Sequence, residues 1–252
     1  LSFKGKQVPI IFDFLTATEL LLCCGIVVFA SILQVSVGMG FGMLASPLIA
    51  LVKPELVPGS IVAMGLFVAF SGAWRERGNI STAELKRGIG GRVIGSGLSL
   101  CLLLLIPDIN SFLIIFGVVM LLAVMLSYFG SQLAFTLKRL FYLSILSGMM
   151  GTITGVGAPP MAIIYHQRDP AVVRPTLNAF FFAGSVLALI SLGLSGWLSI
   201  QDFIAALLFL PAMFFGILVS APFKKMSSRT VSALLLGLSA IASVSLIFRA
   251  MI

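Results

Sequence analysis

Val37-Gly38-Met39-Gly40-Phe41-Gly42 and, in the second half of the chain, Thr154-Gly155-Val156-Gly157-Ala158-Pro159-Pro160 place helix breakers inside otherwise apolar sequence. Glycine gives up the most backbone entropy on ordering and proline has no amide to donate, so an α-helix does not run straight through either stretch. Both should unwind. Unwound backbone at membrane depth survives only where protein or a water-filled cavity satisfies its polar groups.

The surroundings of these breaks place the chain in a bilayer. Of 252 residues, 60% are hydrophobic and 10% charged, against roughly 25% charged in soluble domains, and the mean hydropathy is +1.17. Apolar runs recur at Leu20–Ala30, Ile61–Phe70, Val93–Ile106, Phe112–Leu126, Ala179–Leu194, Phe203–Val219 and Val231–Phe248. Several approach the ~20 residues that a helix needs to cross hydrocarbon. The runs are continuous rather than alternating, which excludes a membrane barrel. The net charge of +8 comes from basic residues in short gaps between apolar runs; that pattern sets topology and does not point to nucleic acid. Cys23, Cys24 and Cys101 lie inside apolar runs without metal-like spacing and read as small hydrophobes. No cofactor or metal is expected.

The two breaks belong to an internal duplication. A shift of 117 pairs Gly38 with Gly155, Gly40 with Gly157 and Pro58 with Pro175, and a shift of 118 brings Ser81 and Glu84 onto Ser199 and Asp202, two Ser-x-x-acid capping boxes ahead of long apolar helices. The expected fold is therefore an all-α polytopic membrane protein, one transmembrane domain over 1–252. Two repeats, about 18–129 and 138–250, each hold a broken or re-entrant segment followed by three transmembrane helices. The expected elements are 18–52, 57–74, 83–106 and 111–129, then 138–168, 171–193, 200–220 and 229–250. As one helix, residues 18–52 would run roughly 50 Å, too long for a single crossing, so a hairpin suits that segment; the second is a hairpin or an interrupted span. If both are hairpins, the 16 basic residues divide twelve to four between the faces, with Lys4, Lys6, Lys53 and Arg249 in the minority. Single crossings would divide them ten to six. The stronger bias favours hairpins, hence an odd number of crossings per repeat and inverted repeats, a design recurrent in secondary transporters.

Gly38, Gly40, Gly42 and Pro47, then Gly155, Gly157, Pro159 and Pro160, with Gly88-Ile89-Gly90-Gly91-Arg92-Val93-Ile94-Gly95-Ser96-Gly97 between them, make the chain resemble the sulfite exporter TauE/SafE family over nearly its whole length. It departs from the family pattern at Ala158-Pro159-Pro160, where glycines usually continue. The resemblance implies transport, usually outward, of small sulfur-containing anions such as sulfite or organosulfonates.

An anion held inside a membrane needs donors, and the N-terminal end of a half-helix supplies free amides and a positive dipole end. Gly38, Gly40, Gly42, Gly155 and Gly157 would let an oxyanion approach such backbone, with Gln34, Ser36, Ser46, Thr152 and Thr154 nearby as side-chain donors. Gln34 serves equally as an interhelical hydrogen-bond partner, and small hydroxylated residues also serve helix packing. Arg92 either attracts the anion or, the more economical reading, snorkels to the interface. Asn178 lines the path or closes a packing contact. His166 reads as an interfacial residue, and Trp74 and Trp197 as belt anchors. The leading expectation is a secondary transporter, an exporter by alternating access, in a bacterial inner membrane, with a small anion and the lipid bilayer as its partners. A channel or carrier for another solute is the alternative. A membrane-embedded enzyme fits less well, because one histidine and no paired intramembrane carboxylates supply no catalytic cluster. The coupling ion is unassigned and assembly into a homo-oligomer is left open.

Overall fold

The structure is a computed structural model that describes residues 15–37, 41–130, 133–220 and 228–251, with the side chains of 33–37 and 228–235 outside the description. Ten α-helices fill these residues: α1 (Ala17–Val37), α2 (Phe41–Val52), α3 (Gly59–Arg75), α4 (Thr82–Leu105), α5 (Ile109–Phe129), α6 (Leu137–Thr154), α7 (Ala158–Tyr165), α8 (Pro170–Ser195), α9 (Ile200–Val219) and α10 (Ser228–Met251). No strand occurs among the described residues. Each half is a pair of helices flanking a glycine break, then three longer helices. α4, α5, α8 and α9 are long and apolar enough to cross a membrane, and large hydrophobic side chains such as Leu105, Leu207 and Leu218 point outward from them.

Local chemistry sets the ends. The Asp108 carboxylate accepts from the Ser111 amide at 2.9 Å ahead of α5, the Thr136 hydroxyl from the Arg139 amide at 3.2 Å ahead of α6, and Asp169 from the Ala171 amide at 2.9 Å ahead of α8, each meeting a first-turn donor that the helix leaves unpaired. α6 ends at Gly155 with φ +74°, the left-handed conformation that glycine adopts without penalty. The two expected capping boxes differ. Ser199 and Asp202 form one. Ser81 makes no side-chain cap; its amide donates to the Thr176 hydroxyl at 2.9 Å, and Glu84 turns away to Arg168, because a cation stands within its reach and, among the described residues, none faces Asp202.

Small residues let the helices approach. A Cβ on Gly95 would stand 2.1 Å from the Ile145 carbonyl oxygen, so α4 and α6 lie backbone against backbone along Gly91, Gly95 and Gly148, the small-xxx-small packing of membrane helices. The partnerships alternate between halves: α4 packs on α6 and α9 on α1, α4 on α8 and α9 on α3, α7 on α5 and α2 on α10, with α3 on α8 and α5 on α10 bridging directly.

The ends of each broken segment lie side by side. Lys53, just past α2, pairs with Glu19 in the first turn of α1 at 3.7 Å. The Leu133 amide, ahead of α6, donates to the Ile163 carbonyl near the end of α7 at 3.4 Å, and the Phe135 and Tyr165 rings are 5.4 Å apart. Arg249, at the end of α10, donates to the Leu51 carbonyl at 2.9 Å, beside Lys53. Trp74 is exposed at the end of α3 under Arg77. Trp197 instead turns inward, stacked on Phe112 and donating to the Leu103 carbonyl at 3.2 Å.

Candidate functional site

Arg92 sits on α4, well inside a helix long enough to span, and it does not snorkel. It is 3% exposed. Three glycines from three segments open the slot that receives its guanidinium. A Cβ would stand 2.5 Å from Nη2 at Gly151 on α6, 2.5 Å from Nη1 at Gly157 in the break, and 2.4 Å from Nε at Gly184 on α8. Nη1 donates to the Ser147 carbonyl at 2.7 Å and to its hydroxyl at 2.8 Å, and that hydroxyl donates to the Gly157 carbonyl at 2.6 Å. The Phe180 ring covers the group, its centroid 5.4 Å from Cζ. Nε has no hydrogen-bond partner. A buried cation held by neutral acceptors alone, with a donor to spare, is costly to desolvate, and an anion would offset that cost.

The guanidinium borders a cavity of about 270 Å³. One wall is the first turn of α2, where Gly42 and Met43 hold amides that lack an intrahelical acceptor by their position. Gly155, Val156, Gly157, Ala158 and Pro159 form the facing wall, while Asn178 and Ser185 from α8 and Ser127 from α5 add polar atoms among otherwise apolar residues. The two breaks touch: a Cβ on Gly42 would lie 2.7 Å from the Gly155 carbonyl oxygen. The start of α7 is a weaker donor than the sequence suggests, since Pro159 and Pro160 occupy its first turn and carry no amide hydrogen. The two breaks therefore differ in the amide donors they offer, and Arg92 stands on the side of the poorer one.

Of the residues expected from sequence to meet the anion, Gly42, Arg92, Gly155, Gly157 and Asn178 line this cavity. Asn178 also fills the space that a side chain at Gly72 would need. Ser46, Thr152 and Thr154 are fully buried and engaged elsewhere. Ser46 donates to the Thr154 carbonyl, Thr152 to the Ser96 hydroxyl at 3.1 Å, and Thr154 to the Met150 carbonyl at 2.7 Å. They tie helices together. Gly38 and Gly40, and the side chains of Gln34 and Ser36, lie outside the described residues. The sequence reading passed over Ser127, Ser147, Gly151, Gly184 and Ser185. Gly151 and Gly184 carry a usable signal, small residues on helices that face an intramembrane arginine, but it becomes visible only once α4, α6 and α8 are known to meet.

Apolar spanning helices around an internal cavity with a buried cation define a multi-pass membrane protein. Residues 23–246 match the family model for the sulfite exporter TauE/SafE family, and the chain belongs to that family. This is a family of membrane transporters, not of enzymes, and membership makes the chain a membrane transporter of the sulfite and sulfur-anion exporter kind. No curated protein and no solved structure gives a match.

Proposed function

We propose that this protein carries a small sulfur-containing oxyanion, sulfite or an organosulfonate, out of a bacterial cell across the inner membrane by alternating access. The observation that carries the reading is Arg92: a buried guanidinium with an unpartnered Nε beside a cavity whose other walls are two helix breaks. The first-turn amides of α2 add donors to the same space.

The architecture supports the transport cycle. With the ends of α1–α2 joined through Glu19 and Lys53, and those of α6–α7 through Leu133 and Ile163, both broken segments read as re-entrant hairpins. Three crossings per half follow, so repeats of about 18–129 and 138–250 are inverted with respect to each other, and the reciprocal packing of their helices agrees. Arg75, Arg77, Lys138, Arg139, Arg168 and Arg174 then share one face, which the charge rule makes cytoplasmic. The cavity runs from Arg92 toward that face, reaching the exposed Ser127 in the last turn of α5, while Ile61 packed on Gly155 and Ser46 bonded to Thr154 close the other side. An opening on that side supports a carrier that loads its anion from the cytoplasm for export.

The test is a thermal-shift screen of the purified protein against sulfite, thiosulfate, small sulfonates and matched carboxylates, since a ligand of the folded state raises its apparent stability. Stabilisation by sulfite and the small sulfonates is expected; equal stabilisation by carboxylates, or by none of the anions, would overturn the substrate assignment.

A further inference from the structure

We infer that the site accepts its cargo only as a species of net charge minus one, so that a titratable oxyanion is bound in its singly charged form. The inference rests on the sulfur-anion reading above and adds the charge state to it. Arg92 is the one charged side chain among the described residues that line the cavity. A single negative charge beside it leaves a neutral pair. A second would remain uncompensated in a low-dielectric interior, where an unpaired ion is strongly disfavoured. No carboxylate lines the cavity among the described residues either, so neither a co-bound cation nor an ammonium group on the cargo finds a counter-charge there. Ser127, Asn178, Ser185 and the backbone amides orient oxygens without changing the charge sum.

Among the described residues, the neighbouring titratable groups do not alter this balance. On α4 itself Glu84 is tied to Arg168, while Lys86, Arg87 and Cys101 are exposed. On α6, packed against α4, Lys138, Arg139 and Tyr142 are exposed, and on α8, the other helix packed there, Arg174 is exposed. Tyr165 on α7 is buried away from the cavity, and His166 is exposed. Arginine keeps its proton across the range where sulfite titrates, so any pH dependence of binding belongs to the cargo.

The experiment is equilibrium binding to the purified full chain in detergent, with sulfite measured across the pH range in which it passes from one charge to two, methanesulfonate as a permanently singly charged control, and sulfate as a doubly charged one. The affinity for total sulfite should fall about tenfold per pH unit once the doubly charged form dominates. Methanesulfonate affinity should stay flat, and sulfate should not displace bound sulfite. Sulfite affinity that is constant or rising with pH, or displacement by sulfate as effective as by methanesulfonate, would overturn the inference while leaving the sulfur-anion reading standing. If neither sulfite nor methanesulfonate binds at any pH, the sulfur-anion reading itself falls, and the charge rule with it.

Discussion

α4 and α9 begin alike, with Ser81 and Glu84 in one corresponding to Ser199 and Asp202 in the other, but they diverge a few turns in. At the register where α4 carries Arg92, α9 carries Leu210, packed against the apolar core. The glycines follow the same division. Gly151, Gly157 and Gly184 form a slot around the arginine, whereas Gly216 near the end of α9 admits the close approach of α1, its Cβ position 2.5 Å from the Val28 carbonyl oxygen and 2.8 Å from the Ser31 Cβ. Two halves of one plan thus share packing and differ in charge. The shared part is scaffold; among the described residues lining the cavity, charge is placed once, beside the break whose prolines have removed amide donors.

The sharpest way to break this contrast is to make α4 resemble α9. Arg92→Met replaces a buried cation by an apolar chain of similar length, and affinity for sulfite or a small sulfonate is expected to fall by one to two orders of magnitude, about the value of a hydrogen bond to a charged group. Thermal stability without ligand should hold or rise, because a buried charge with an unpaired donor is exchanged for a packed side chain. A Kd within twofold of the parent protein, measured by titration, would remove Arg92 from the site. Gly184→Ala probes the slot rather than the charge. Its Cβ would stand 2.4 Å from Nε, and displacing the guanidinium should weaken binding about tenfold, in line with the usual cost of overpacking. Gly97→Ala, on the same α4 but with open space around it, should leave both affinity and stability unchanged, which separates crowding of Arg92 from the general effect of a methyl group.

Much of the scaffold is legible in the amino-acid order. Continuous apolar runs and the breaks at 38–42 and 155–160 place the helices to within a few residues, because these signals are local: hydrophobic length, missing amides and capping side chains. The site is less legible. Arg92 looks like a snorkelling residue because its distance from the start of α4 permits it, and the fact that forbids it, three glycines converging from α6, the second break and α8, is tertiary. Ser46, Thr152 and Thr154 have the right chemistry and position along the chain, but their hydroxyls are taken by carbonyls and a serine of neighbouring helices. Sequence shows which donors exist; only packing shows which of them are already used.

The two acidic first turns sharpen the contrast further. Among the described residues no cation stands beside Asp202; its carboxylate accepts from the Ser199 amide at 2.8 Å, from the Ser199 hydroxyl at 3.1 Å and from the Ser60 amide at the start of α3. Asp202→Ala therefore removes a cap and leaves a buried amide on α3 unpaired, a loss of about 2 kcal/mol that should appear as a lowered unfolding midpoint with little dependence on salt.

Glu84→Gln should give the smallest effect and the most diagnostic one. Glu84 is buried, but its partner Arg168 is 43% exposed, and the other carboxylate oxygen has no donor. A glutamine keeps the size and can still accept from Arg168 through its carbonyl oxygen, so the substitution removes charge alone. Water re-solvates the freed guanidinium, which limits the loss to about 1 kcal/mol at low ionic strength. Because the partner faces solvent, salt should screen the attraction, and the difference in unfolding midpoint between Glu84→Gln and the parent should shrink as salt is raised. For Asp202→Ala the difference should persist, since backbone amides rather than a mobile cation hold that carboxylate. Equal salt responses in the two variants would mean that both acidic residues act in the same way, and that the division between a packing half and a charged half ends at Arg92.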